Sequence, residues 1–167
     1  AIVKNSNVQI YDYSGKKVTR ETKLNSMDPA IISKGNYRHF MEKEIHEQPE
    51  TISHTISEMY NANGEMSEKL DEMTKNNPNS ITFLAAGTSY YAGLIAKYWI
   101  ESMCKIPVNV EIASEYRYRE PFVDTKGLII SISQSGESID TLMAMRYAKQ
   151  FGVRSVSIVN NIGSTID

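Results

Sequence analysis

Residues 128–138 read "LIISISQSGES". Within a few positions an apolar run that begins after Gly127 gives way to serines, a glutamine, a glycine and a glutamate. A short apolar run bounded in this way reads as a buried strand. The segment "ESIDTLMAMRYAKQF" (137–151) then reads as a helix carrying Leu142, Met145 and Ala148 inward. Strand, polar loop and helix thus follow one another directly.

The same unit occurs upstream. "ITFLAAG" (81–87) is a short strand, and "TSYYAGLIAKYWIESMC" (88–104) is a helix whose inner face is expected to hold Tyr91, Leu94, Ile95 and Tyr98. "PVNVEIA" (107–113) is the next strand, followed by "SEYRYRE" (114–120), a polar connection with room for one helical turn. "RSVSIVN" (154–160) is the fourth strand, after Gly152 at a position where a helix C-cap favours glycine. Strands alternating with amphipathic helices predict an α/β fold: an open, doubly wound parallel sheet flanked by helices, flavodoxin-like, in spatial order 2-1-3-4. "NIGSTID" (161–167) offers no further helix, so the sheet is expected to be truncated before its last elements.

The first half of the chain has a different texture. Residues 8–22 read as two short strands joined at Ser14-Gly15, a hairpin that nothing nearby would cover. Residues 26–36 are turn-rich and read as a linker. Residues 37–77 read as helical, with Pro49 expected to end or kink the first helix and "EMSEKLDEMTK" (65–75) as a third short segment.

Composition narrows the function classes. The chain has 167 residues, 41% hydrophobic and 23% charged, which suits a packed domain. A net charge of −2 provides no polybasic field, so neither nucleic acid nor an acidic membrane is an expected partner. No run approaches the roughly 20 apolar residues of a membrane span, and the start of the chain lacks a signal-peptide layout. A cytoplasmic protein is expected. Cys104 is the single cysteine and is read as a buried small hydrophobe. His39, His46 and His54 are seven and eight positions apart, a spacing that suits surface or groove histidines better than a metal site. No metal and no cofactor is expected, and neither GxxxxGK[ST] nor GxGxxG follows any strand.

Two loops remain, "AAGTS" (85–89) after the first parallel strand and "SQSGES" (133–138) after the third. In order 2-1-3-4 these strands are neighbours whose crossovers leave in opposite directions, and ligands bind at that switch point. Each loop leads into a helix N-terminus, where free N–H groups and the positive dipole end attract an anion. Hydroxyls and N–H groups together can hold a phosphate without a cationic side chain. Gly87 and Gly136 permit tight turns, and Gln134 can bond a sugar hydroxyl. The plain alternative is that Thr88, Ser89, Ser135 and Ser138 are helix caps; two such loops at one switch point favour the sugar-phosphate cradle.

The segments "RHFMEKEIHEQPETI", "AAGTSYYAG", "VEIASEYRYRE" and "SISQSGESIDT" closely resemble the glucosamine-6-phosphate synthase family, the isomerizing glutamine:fructose-6-phosphate aminotransferases, whose sugar half consists of two sugar isomerase (SIS) domains. The resemblance implies that residues 1–25 are the tail of a glutaminase domain. Residues 37–167 would be the first SIS domain with its N-terminal helices, incomplete at the C-terminus. It implies binding of fructose 6-phosphate or glucosamine 6-phosphate through Gly87, Thr88, Ser89, Ser133, Gln134, Ser135 and Ser138, and assembly as a homodimer. Ala86 stands where the family has a small residue, and Ser138 where threonine is common. The family's glutamate base, ring-opening histidine and Schiff-base lysine have no counterpart here, so no catalytic residue is assigned and this polypeptide alone is expected to be inactive. Glu137 suits helix stabilisation better than proton transfer, and Lys97 is expected mid-helix and exposed.

Two other readings share the loops. One is a sugar-phosphate-sensing SIS module of a regulator, which would carry a helix-turn-helix upstream where this chain has a hairpin and "EKEIHEQPE". The other is a different SIS isomerase or deglycase. Trp99 is read as packing a helix flank or a partner surface, and "SEYRYRE" as a partner-chain or interdomain surface.

Overall fold

The computed structural model describes residues 1–5, 7–21, 33–60, 68, 71, 73, 75, 77–161 and 163–167. The chain divides into two compact units, Ala1–Ile56 and Ser57–Asp167.

The first unit opens with a three-stranded antiparallel meander of β1 (Ile2–Lys4), β2 (Asn7–Tyr11) and β3 (Lys17–Val18). The expected hairpin is β2–β3, paired through Ile10 with Val18 and Tyr11 with Lys17. Its turn is organised by Asp12, whose carboxylate accepts from the Ser14 amide (2.9 Å), the Ser14 hydroxyl (2.6 Å) and the Lys16 amide (2.9 Å). Gly15 takes φ +80°. These bonds, the Ser14 hydroxyl first, hold the Asp12 carboxyl below its ordinary range. Strand β1 was not anticipated. It is three residues long and turns into β2 through Asn5 at φ +42°, a conformation asparagine tolerates. As expected of an isolated hairpin, Val3 and Val8 are exposed.

Helix α1 spans Phe40–Tyr60 without interruption, correcting the expected break at Pro49. Proline lacks the N–H that would bond the Ile45 carbonyl, and its ring crowds that carbonyl. Both positions are exposed, so water can serve that carbonyl. Just beyond, the Thr51 hydroxyl donates to the Glu47 and Gln48 carbonyls at 3.1 Å. Of the expected third segment, Glu68, Asp71 and Met73 are helical and the rest lies mostly outside the described residues, as do residues 26–32 of the expected linker.

The second unit contains a four-stranded parallel sheet of β4 (Ile81–Ala85), β5 (Val108–Ile112), β6 (Leu128–Ser133) and β7 (Arg154–Val159), in order β5-β4-β6-β7. This is the 2-1-3-4 order expected of a doubly wound sheet. Alternation along the strands builds two cores. Leu84 and Ile129 face Ala113, Tyr116, Ala144 and Ala148 from α3 (Ala113–Tyr116) and α4 (Ile139–Lys149). Ile81, Phe83, Leu128 and Ile130 face the opposite way, with Ala96 and Ile100 of α2 (Gly87–Cys104) packed on them.

Helix α2 is rotated from the expected orientation. Tyr91, Ile95 and Tyr98 are 64%, 56% and 72% exposed, while Leu94 is half-buried. Gly93, Ala96 and Ile100 face the sheet instead. The reason is distance: a Cβ on Gly93 would lie 3.1 Å from Val110 Cγ1 and 3.5 Å from Phe83 Cβ. A helix this close to a sheet needs small residues at the point of approach, so its large apolar residues turn outward. Cys104, at the end of the helix, is exposed rather than buried. On α4, Met145 and Ala148 are buried as expected, Leu142 only in part, and Thr141 and Ala144 complete the inner face.

Candidate functional site

The parallel register pairs Ala85 with Ile132, so β4 and β6 end side by side and their polar loops emerge together. The loop after β4 turns at Gly87, which has φ +57°, directly into α2. The loop after β6 turns at Gly136, φ +67°, and enters α4 after Ser138. Between them lies a cavity of about 270 Å3 lined by Ala86, Thr88, Ser89, Ile132, Ser133, Gln134, Ser135, Ser138 and Thr141. That is near the lower end of small-molecule sites, about 300–1,000 Å3. No lysine or arginine is among its described lining residues.

The hydroxyls are not spent on capping. The N-cap of α2 is Ala86, which has no side-chain acceptor, and Thr88 and Ser89 lie inside the first turn. Ser138 is the N-cap of α4 by position yet makes no side-chain cap bond. Its oxygen instead accepts from the Thr141 hydroxyl at 3.1 Å. Ser133 Oγ accepts from the Gly136 amide (3.1 Å), and Ser135 Oγ accepts from the Glu137 amide (3.2 Å). A serine hydroxyl has one donor and two acceptor sites. Each of these three oxygens takes part in one bond, and a hydroxyl that accepts retains the capacity to donate. An anion needs donors, and the loops supply them with first-turn N–H groups of two helices.

Six of the seven expected site residues therefore line one cavity: Thr88, Ser89, Ser133, Gln134, Ser135 and Ser138. Gly87 shapes the turn rather than the wall. Thr141 was missed, although its spacing of three from Ser138 on a helix was a usable signal.

Glu137 calls for a correction. It precedes the N-cap of α4, and its carboxylate accepts from the Thr165 amide (2.9 Å) and the Thr165 hydroxyl (2.6 Å). These bonds, the hydroxyl's first, hold its carboxyl below the ordinary value of 4.5. Its hydrogen-bond partner is the segment after β7, a contact the sequence did not suggest. Lys97 is half-buried rather than exposed and lies 3.8 Å from Glu101, whose carboxylate also accepts from the Val108 amide at 3.0 Å.

A separate groove of about 340 Å3 runs along the start of α1, lined by His39, Met41, Glu42, Ile45 and His46, with Tyr37 stacked on His46 at 5.6 Å. Its lining is largely apolar and no set of donors converges there. Among the described residues no three His, Cys, Asp or Glu side chains are grouped to hold a metal. Nor is any described helix long and apolar enough to cross a membrane.

Comparison with known proteins agrees with this architecture. The chain is 41% identical over 167 residues to the isomerizing glutamine–fructose-6-phosphate aminotransferase of Brucella abortus, covering 99% of this chain and 28% of that protein. It is 46% identical over 162 residues to the enzyme of the same name from Neisseria meningitidis, covering 95% and 26%. Thus it spans little more than a quarter of the length of these relatives. Among solved structures, the C-terminal domain of glucosamine-fructose-6-phosphate aminotransferase from Francisella tularensis superposes with a TM-score of 0.70 at 44% identity, over 80% of this chain and 38% of that one. Tagatose-6-phosphate ketose/aldose isomerase from Escherichia coli superposes with a TM-score of 0.67 at 20% identity, over 77% and 36%, a likeness of fold alone. The family model for the SIS domain matches residues 72–167. That stretch is more than half of the chain and holds all four parallel strands and both polar loops, so the chain belongs to the SIS domain family.

Proposed function

We propose that this chain is the sugar-phosphate-binding part of the isomerase half of an aminotransferase that converts fructose 6-phosphate and glutamine to glucosamine 6-phosphate and glutamate. The observation that carries the reading is the cavity shared by the loops after β4 and β6, which five hydroxyl-bearing residues of the two loops, with Gln134, line together. Thr88, Ser89, Ser133, Ser135 and Ser138 bind the phosphate, Gln134 bonds a sugar hydroxyl, and Gly87 lets the α2 end approach. The named relatives support the choice of sugar and reaction. In this reading residues 1–25 belong to a glutaminase domain, 26–36 are a linker and 37–167 belong to the first SIS domain. The protein works in the cytoplasm as a homodimer, for which the outward apolar residues of α2 provide surface.

Calorimetric titration with fructose 6-phosphate, glucosamine 6-phosphate, tagatose 6-phosphate and unphosphorylated fructose tests this reading. Binding of the first two and not of fructose is expected. Preference for tagatose 6-phosphate would move the chain to another SIS isomerase. An anion found crystallographically at Arg117 and Arg119, with both loops empty, would refute the cradle.

A further inference from the structure

Four consecutive features of the segment after β7 meet the serine loop. Asn161 Nδ2 donates to the Ser135 carbonyl at 3.2 Å. Ser164 fills the space beside Gly136, where an added Cβ would come within 1.9 Å of its hydroxyl oxygen. Thr165 donates through both its amide and its hydroxyl to the Glu137 carboxylate, at 2.9 and 2.6 Å. The Ile166 amide donates to the Gly136 carbonyl at 3.0 Å, and the Ile166 side chain is buried. Residues 135, 136 and 137 are thus each bonded by the segment after β7, next to Ser133, Gln134, Ser135 and Ser138 of the cavity lining. A left-handed glycine at the centre of the loop is conformationally permissive, and the bonds from the segment after β7 add to the two local ones that Ser133 and Ser135 make within the loop.

We propose that Glu137 and Thr165 are positioning residues, a clamp that locks the loop after β6 in the conformation that presents its hydroxyls to a phosphate. The proposal rests on the sugar-phosphate reading above. It also explains a carboxylate beside an anion site. Both its oxygens are occupied by Thr165, so its charge serves to hold the segment after β7 rather than to meet the ligand.

Three forms of the protein distinguish this role from a catalytic or purely electrostatic one: wild type, Glu137→Ala and Glu137→Gln. Glutamine keeps both contacts, since its carbonyl can accept from the Thr165 amide and its NH2 can donate to the Thr165 hydroxyl. Alanine keeps neither. Hydrogen exchange in the ligand-free protein should rise over 134–138 and 163–167 in the alanine variant and stay near wild type in the glutamine variant. The Kd for fructose 6-phosphate should rise about tenfold in the alanine variant and return to within about threefold of wild type with glutamine. Unchanged exchange in the alanine variant would overturn the clamp. So would a glutamine variant as impaired as alanine, which would mean that charge alone matters. Faster exchange with an unchanged Kd would overturn the positioning role. If wild type binds no sugar phosphate while exchange responds as expected, the functional reading fails and the clamp stands.

Discussion

Replacing Gly136 with alanine separates two effects that coincide at this residue. Gly136 has φ +67°, and an L-residue there is strained by about 1–2 kcal/mol. The added Cβ would also lie 1.9 Å from Ser164 Oγ and 2.4 Å from Ser164 Cβ. The oxygen can rotate away about χ1, but the Cβ cannot move without its backbone, which the Thr165 and Ile166 amides just beyond bond to this loop. Overpacking of this kind destabilises by about 1–3 kcal/mol. The expected total is about 2–5 kcal/mol, a large share of the 5–15 kcal/mol that holds a typical domain. Gly87 supplies the control. It has φ +57° with nothing within 4 Å of an added Cβ, so Gly87→Ala should show only the backbone part, about 1–2 kcal/mol. Urea unfolding measures both, as a lower midpoint at constant slope. Adding Ser164→Gly to Gly136→Ala should recover about 1–3 kcal/mol relative to additivity. The reasoning is refuted if the two alanine variants are equally destabilised, or if Ser164→Gly recovers nothing.

Three further outcomes follow from the same geometry. Ser135→Ala should weaken fructose 6-phosphate binding by about 1–3 kcal/mol, the range for a bond to a charged group; unchanged affinity in calorimetry would remove Ser135 from the site. Glu137 and Asp124 both ionise more readily in the folded chain than at their ordinary values of 4.5 and 3.8, through hydrogen bonds led by Thr165 and Ser80 respectively. The folded state therefore binds fewer protons, so their contribution is complete above those values and is lost as pH falls through the lower folded ones. Urea midpoints should be flat near neutrality and fall in acid below about 4.5, with a shallower fall in Thr165→Val. Light scattering on the protein should report a dimer, and a monomer at all concentrations would refute the assembly proposed here.

No lysine or arginine is among the described residues that line the cavity. If the proposed reading is right and hydroxyl and amide donors hold the phosphate, binding rests on short-range bonds rather than a long-range field, and affinity should depend less on salt than at a lysine- or arginine-lined site.

What the sequence by itself determined is the sheet and the two loops that line its cavity. Strands such as "LIISIS" are rich in β-branched and apolar residues because they are buried, and the polar loops after them stand out by contrast, so β4 to β7 and six of the cavity's lining residues were legible. These features are local: each depends on a run of neighbouring residues and on the handedness of parallel crossovers. Tertiary structure decided the rest. The inward face of α2 was misread because residue size suggests Tyr91, Ile95 and Tyr98, whereas the distance to Val110 and Phe83 selects Gly93. No local pattern encodes how closely a helix lies on a sheet. The role of Glu137 was equally hidden, because its partner Thr165 is 28 residues away and belongs to a stretch without a periodic signal. Periodicity reports what each segment buries; only the folded chain determines which side chain meets which.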